Sequence, residues 1–444
     1  MKRQYIARLL DPIIAELFAE LPALLIVGPR ATGKTTSARR LATDILRLDK
    51  PAGAELVRND PDLALSSFST PLLIDEWQVV PAILGAVKRA VDDQSGVGRY
   101  LLTGSSQSDL TTDGWPATGR VTRLTMFGLV EREIADNSDR ASFFDLAWRG
   151  ELDQLGASHD RPDLRGYVQR ALRSGFPEAA NLSSARTRER WLGSYIDEVV
   201  TRDVKISNSE VRDPIRLRRY LQACAANTAG IVEHKTLFDT AQVSRITAVG
   251  YDTLLEHLMV IDKLPAWTSN RATRLIRSPK YHLVEPALMA PLLGVDERSI
   301  LRDADLLGRL IETYVLSQLR VEAVVADKAV NLFHLRDKDG THEVDIIAER
   351  ADGSIVAIEV KATSAPNLVD AKHLLWLKER VGNKFAKGIV FHSGPVPFHH
   401  PSGISFIPIS TIWGKLKASQ PGHSRNSLNG FAGMASEDRE DAWR

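Results

Sequence analysis

"ALLIVGPRATGKTTSARRLATDIL", residues 23–46, passes from an apolar strand through a glycine-bearing turn into a helical segment, and its reading decides the fold of the first third of the chain. Gly28, Gly33, Lys34 and Thr35 stand in P-loop register, between strand and helix as that motif requires. Glycines let backbone amides turn onto phosphates, a lysine at this spacing reaches the β- and γ-phosphates, and the following hydroxyl ligates magnesium. The candidate cofactor contacts are therefore Gly28, Pro29, Arg30, Ala31, Thr32, Gly33, Lys34, Thr35 and Thr36, with ATP and Mg2+ as the expected cofactors. A plain glycine-rich turn is the competing reading. At average glycine usage of about 7%, a chance match somewhere in such a chain is of order 1%.

A phosphate cradle needs a carboxylate strand beside it, and "PLLIDEW" (71–77) supplies one. Asp75 is the candidate for the magnesium shell, together with Thr35, and Glu76 for the general base that orients an attacking water. An acidic pair at a strand end that merely caps a helix is the alternative. A third strand, "YLLTGSS" (100–106), ends in Thr103, Ser105 and Ser106, any of which is placed to sense a γ-phosphate, with Ser105 taken as the candidate contact. In "GRVTRL" (119–124), Arg120 is the candidate for stabilising transition-state charge, within the chain or across to a second copy, and a solvated surface arginine is its plain alternative.

Working outward, the 444 residues exceed a single hydrophobic core and call for more than one domain. The chain is 43% hydrophobic and 25% charged, and no apolar run approaches the roughly 20 residues of a membrane span, so a cytoplasmic protein with no membrane partner is expected. The opening "MKRQYIARLLDPIIAELFAE" has acidic residues within its apolar stretch and reads as an amphipathic helix rather than a secretion signal. Cys224 is the one cysteine, which excludes an internal disulfide and any multi-cysteine zinc site. A net charge of +1 gives no overall attraction to nucleic acid, although a local basic face can hide inside that total.

The expected fold class is α/β with four segments. Residues 1–135 form a P-loop ATPase-like unit and 136–300 a helical, winged-helix-like connector. Residues 301–416 form a second α/β unit with strands at "VNLFHLR", "EVDIIAE", "IVAIEVKA" and "KGIVFHS", and 417–444 form a Ser-, Gly- and charge-rich tail expected to be disordered. In the connector, a helix, a turn, a second helix from about Arg245 and a strand outline a winged helix. After them Arg271, Arg274, Arg277 and Lys280 are placed in a loop or hairpin as candidate phosphate contacts, which makes DNA a candidate partner. A packing module with solvated arginines is the alternative.

The order of "LLTGSS", "GR", "GFPEAA" (175–180) and "YIDEVVTRDV" (195–204), closing on "ISFIPISTIW", resembles the widespread bacterial and archaeal AAA-type ATPases with a C-terminal domain of unknown function. The resemblance runs from about Leu24 to Trp413. It implies ATP binding and a winged helix in the middle, and it departs at "MFGLVERE" (126–133), where the family has a Pro-Leu-Ser run.

"THEVDIIAERADGSIVAIEVKAT" (341–363) places acidic residues inside two apolar strands, where an unpaired buried charge costs several kcal/mol. If the strands are neighbours, Asp345 and Glu359 converge and Lys361 shares their face, since residues two apart on a strand point the same way. With Glu312 from the preceding helix, the set resembles the constellation of restriction-endonuclease-like nucleases. That implies a second Mg2+ or Mn2+ on Glu312, Asp345 and Glu359, with Glu359 and Lys361 catalytic; Glu343 is a spare ligand or gatekeeping charge. The alternative is a Glu359–Lys361 structural pair, or a nuclease fold without activity. The function expected from the whole is a Mg-dependent ATPase whose nucleotide state controls the nuclease-like unit. The alternative is an ATP-dependent switch for a protein partner whose C-terminal unit is catalytically silent. A homo-oligomer is compatible with either.

Overall fold

The computed structural model describes residues 5–105, 119–156, 161–203, 213–274, 277–337 and 339–417. Its first sheet holds β1 (Ala23–Val27), β2 (Asp44–Arg47), β3 (Leu72–Asp75), β4 (Tyr100–Gly104) and β5 (Thr122–Thr125) in the order β2-β3-β4-β1-β5, every pairing parallel. All five residues of β1 and all four of β3 are buried, as strands covered on both faces must be. One covering layer is the helix Asp11–Glu20, which turns Ile14 and Phe18 inward. Because the strands run the same way, the turns after β1, β3 and β4 gather at one sheet edge, the crevice where open α/β sheets bind ligands.

The middle of the chain is helical. Its helices begin where the sequence supplies a side-chain oxygen for free backbone amides: Asp163 caps Leu164–Arg173, Ser184 caps Ala185–Glu198, Asp213 caps Pro214–Ala226 and Ser244 caps Arg245–His257. Helix His234–Ala241, helix Arg245–His257 and the antiparallel hairpin of β6 (Ile261–Leu264) and β7 (Lys280–Leu283) follow the expected helix–turn–helix–strand order.

The 21-residue helix Ala304–Val324, capped by Asp303, leads into a second sheet. That sheet contains β8 (Val330–Arg336), β9 (Glu343–Arg350), β10 (Ile355–Lys361), β11 (Phe385–His392), β12 (Phe398–His399) and β13 (Ile404–Pro408), in the order β12-β13-β11-β10-β9-β8. β8, β9 and β10 pair antiparallel, whereas β10, β11 and β13 pair parallel, with helix Lys372–Val381 crossing between β10 and β11. The expected tail from residue 418 onward lies outside the described residues.

Packing is continuous across the expected division at residue 300. One cluster of buried apolar side chains runs from Phe143 through Tyr220 and Leu316 to Trp413. The end of the chain is tied back onto the middle: Asn137 Nδ2 donates to the carbonyls of Trp413 and Gly414, and the Ser410 amide donates to Tyr167 Oη at 2.9 Å. The turn that follows β5 is joined to the long helix by an ion pair, Arg132 to Glu322 at 3.0 Å, with both side chains almost wholly buried. Glu322 also accepts the Phe143 amide at 2.6 Å and faces Arg140, whose guanidinium burial pushes down to about 10.

Removing one partner of such a pair leaves an uncompensated buried charge. Glu322→Ala is expected to lower stability by about 3–5 kcal/mol. In a double-mutant cycle with Arg132→Leu, the pair should show a coupling of about 1–3 kcal/mol, measured by denaturant unfolding; additive effects would contradict the pairing.

Candidate nucleotide-binding site and a C-terminal carboxylate cluster

The loop between β1 and helix Lys34–Arg39 is closed so tightly that Gly28 tolerates no side chain, since a Cβ there would lie 2.0 Å from the carbonyl oxygen of Met126. Gly33 sits at φ +93°, in the left-handed region that favours glycine, and so holds the turn into the helix. Lys34 is buried and folded back, its ammonium donating to the carbonyls of Gly28 at 2.9 Å and Pro29 at 2.7 Å. Burial pushes that ammonium down to about 8. Carbonyl oxygens are weak partners for an ammonium compared with phosphate, so this position is one the lysine can leave.

Asp75, at the end of β3, accepts hydrogen bonds on one oxygen from Thr35 Oγ1 at 2.7 Å and Thr103 Oγ1 at 2.6 Å. The structure thus brings the hydroxyl and carboxylate assigned to magnesium into contact, and adds Thr103 from β4. Glu76 has φ +58°, ψ +47°, an uncommon conformation for a residue with a side chain, which turns it out of the strand line toward the cleft. Its carboxylate accepts a hydrogen bond from the Gln78 amide, which lies 3.3 Å from Ser105 Oγ. Ser105 therefore bears on Glu76 through Gln78, a link the sequence reading did not contain. Ser106 lies outside the described residues.

Arg120 stands apart from this group. It precedes the first residue of β5, while the P-loop follows the last residue of β1, and these strands are parallel in register Val27 to Thr125. Five residues of strand, roughly 16 Å, separate the two ends. Arg120 is half exposed and paired with Asp92 at 2.8 Å. Of the alternatives set out for it, a role toward a second copy and a solvated surface position are the ones compatible with that geometry.

The rest of the cleft comes from residues to which the sequence reading gave no role. A volume of about 430 Å³ is enclosed by the P-loop and Glu76 on one side and by Tyr5, Ile6, Arg8, Leu129, Pro177, Glu178 and Asn181 on the other. Arg8 is buried and buttresses the loop, donating to the carbonyls of Thr32 at 2.7 Å and Phe127 at 2.8 Å while pairing with Glu133 at 3.0 Å. Tyr5 Oη bonds to Asp11 and to Ser37 Oγ, with Arg40 over its ring. Pro177 and Glu178 belong to "GFPEAA", which carried the family resemblance without a stated job.

That motif is fixed from both sides. The Gly175 carbonyl accepts the Leu129 amide at 2.6 Å, and the Gly175 amide donates to Glu285 Oε2 at 2.8 Å. A Cβ on Gly128 would lie 3.0 Å from the Gly175 carbonyl, so the two backbones pass at a distance suited to glycine. Glu285 is buried, which pushes its carboxyl up to about 7 even though the Gly175 and Ala287 amides and Ser174 oppose the shift.

In the C-terminal sheet the register Ile355 to Glu349 through Ile358 to Ile346 continues to set Asp345 opposite Glu359. The expected convergence of acidic side chains is present, but they surround an ammonium. Lys280, placed by the sequence reading in a phosphate-contacting loop, is instead the buried first residue of β7. Its Nζ lies 2.8 Å from Glu312, 3.1 Å from Glu343 and 3.3 Å from Asp345. Asp345 also accepts the Val360 amide at 2.9 Å, and Lys361 pairs with Glu359 at 2.8 Å. Arg274 is likewise occupied, gripping Glu349 with two bonds of 2.6 and 2.8 Å, and Arg277 donates to the Arg336 carbonyl. The side chain of Arg271 lies outside the described residues.

Charge explains the protonation of this cluster. Burial pushes Glu312 up to about 8, with Asp345 adding to the shift and Lys280 opposing it, and burial likewise raises Glu359 well above the carboxylate range. Burial would raise Asp345 too, but Lys280 and Lys361 hold it below its ordinary value. For Lys280 burial pulls downward, and the carboxylates of Glu312, Asp345 and Glu343 more than offset it and hold the ammonium charged. Among the carboxyl groups facing the two ammoniums, Glu312 and Glu359 are thus shifted up and Asp345 down. Among the described residues, no group of three or more His, Cys, Asp or Glu side chains is arranged to hold a metal ion, and no helix is long and apolar enough to cross a membrane.

Comparison with known proteins divides the chain in three. Residues 20–135 match the family model described as "AAA domain", which supports nucleotide binding and an ATPase-like unit. Residues 164–299 and 307–412 match two models each described as a "Domain of unknown function", DUF8612 and DUF4143. The "Uncharacterized protein Rv2008c" of Mycobacterium tuberculosis and the "Uncharacterized protein Mb2031c" of Mycobacterium bovis are each 28% identical over 353 residues, which cover 78% of this chain and 72% of the relative.

Glu285 gives the site a pH signature. An unfolded glutamate ionises near 4.3, so between about pH 4.3 and 7 the folded protein holds a proton that the unfolded chain has lost, and stability falls as pH rises through that window. Relative to Glu285→Gln, the wild type should lose up to about 3 kcal/mol across it and then level off above pH 7. Thermal melts of the two proteins from pH 4.5 to 8 check this; a constant difference would contradict it.

Proposed function

We propose that this protein is a magnesium-dependent ATPase that works as a switch: nucleotide bound at the P-loop is read by residues of the helical middle and passed to the C-terminal unit. The observation that carries this reading is the composition of the cleft, where Pro177, Glu178 and Asn181 face Lys34, Thr35 and Glu76 across one volume. A ligand filling that space touches both units, so its binding energy depends on how they are disposed, which is the condition for shifting a conformational equilibrium.

The residues present fit the groups. A cleft of this size lies within the range of cofactor sites. Lys34 would exchange its carbonyl partners for β- and γ-phosphate oxygens, and Thr35 and Asp75 would hold Mg2+, which would neutralise phosphate charge when bound. Glu76 orients a water for attack, and Gln78 holds the Glu76 carboxylate and reports on it to Ser105. The C-terminal unit is read as the effector that meets a protein partner. Its nuclease-like alternative is motivated by the convergence of Asp345, Glu359 and Lys361, and the DNA alternative by the helix–turn–helix–hairpin outline.

The test is ATP hydrolysis by the purified chain with Mg2+, with and without duplex and single-stranded DNA. Lys34→Ala should abolish nucleotide binding, and Glu76→Gln should keep binding while lowering turnover by about 10²–10⁴-fold. Wild-type turnover should be indifferent to DNA. Stimulation by DNA would move the assignment to a nucleic-acid-directed ATPase, and hydrolysis that survives Lys34→Ala would remove the P-loop from the reaction.

A further inference from the structure

The resemblance to nucleases implies a divalent metal among Glu312, Asp345 and Glu359, and the side chains present do not fit one. The space between Glu312 and Asp345 is filled by the ammonium of Lys280, a side chain only 1% exposed that lies within 3.3 Å of three carboxylates. Glu359, which completes the implied ligand set, is drawn onto Lys361 at 2.8 Å. His282, two residues along β7 and pointing the same way, places Nε2 3.8 Å from Glu312.

The lysine arrives from another part of the fold. It sits on the β6–β7 hairpin, and several contacts around it join that hairpin to the C-terminal unit. Arg320 on the long helix pairs with Asp262, the cross-strand neighbour of His282. The Trp267 amide donates to the His334 carbonyl at 2.6 Å, and the His334 amide returns a bond to Pro265 at 2.9 Å, so the segment after β6 pairs briefly alongside β8. Arg274 and the Trp267 indole both bond to Glu349 on β9.

We infer that Lys280 is the resident cation of the carboxylate cluster, standing where a nuclease-like site would bind metal and locking the hairpin of the middle unit onto the C-terminal sheet. The hairpin is thereby committed to an internal surface, and Lys280 and Arg274 serve carboxylates of this chain. This inference does not rest on the nucleotide reading, and it is tested without nucleotide.

The first experiment titrates the full chain with Mn2+, following free ion by electron paramagnetic resonance. Wild type and Glu312→Gln should give the same curve; one Mn2+ per wild-type chain, lost in Glu312→Gln, would overturn the inference. The second compares melts. Lys280→Met should lower the transition by on the order of 10 °C, because it strands buried carboxylates, and Lys280→Met/Glu312→Gln should recover part of that loss; a Lys280→Met protein that melts with wild type would overturn it. The third needs no variant. Under reductive methylation of the native chain, Lys280 should stay unmodified while exposed Lys235 and Lys372 react, and equal modification of Lys280 would overturn the lock.

Discussion

Two backbones cross at Gly128 and Gly175, and the molecule depends on that crossing. Gly128 belongs to the segment leaving the first sheet, and Gly175 to the turn that starts "GFPEAA". The Leu129–Gly175 hydrogen bond of 2.6 Å holds them together, and Glu285 holds Gly175 from the far side at 2.8 Å. A side chain at either glycine would separate the backbones by steric necessity. With them would go Leu129 and Pro177, which form the wall of the cleft opposite the P-loop. Nucleotide contact and packing of the middle unit therefore share one joint. The continuous core from Phe143 to Trp413 means that displacement there is not absorbed by a loose linker further on.

Three strands of the first sheet, β1, β3 and β4, were legible because their signals are local, whereas β5 was not read as a strand and Asp44–Leu46, read as helical, form most of β2. Apolar runs of four or five residues, a glycine turn and strand-end carboxylates each declare themselves within ten residues, and the contact of Thr35 with Asp75 follows from parallel strands β1 and β3 that flank β4 and end on the same side. The facing of Asp345 and Glu359 was legible for the same reason, since strand alternation is a local rule. What could not be read were contacts set by long-range packing. Arg8 looks like any arginine in an amphipathic opening, and nothing near it in sequence says that it will be buried against Thr32 and Phe127. Lys280 was read with Arg271, Arg274 and Arg277 as a candidate phosphate contact, yet the hairpin turns it inward onto carboxylates that come 32 and 65 residues later. For Arg120 the sequence left a role within the chain, a role toward a second copy and a solvated position open, because the direction of β5 that separates it from the P-loop is a property of the sheet.

The two charged sites differ in what surrounds them. At the P-loop, Lys34 is held by neutral carbonyls, which a phosphate outmatches as partners, so the lysine can change partners at little loss to the protein. In the C-terminal sheet, Lys280 is held by several carboxylates that keep it charged, and leaving them would strand negative charge in a buried place. One lysine is poised to change partners, whereas the other is held as a permanent tie. That contrast supports the proposed chemistry of the N-terminal unit and the inferred lock at the carboxylate cluster.

The central claim is that nucleotide at the P-loop is felt across the Gly128–Gly175 crossing, and amide hydrogen exchange tests it most directly. The wild-type chain would be followed with and without Mg2+ and a non-hydrolysable ATP analogue, with Lys34→Ala as the control. The account predicts that protection changes at residues 28–37 and at 174–181 together in the wild type, and at neither in the variant. Changes confined to 28–37, with 174–181 untouched by nucleotide, would contradict it.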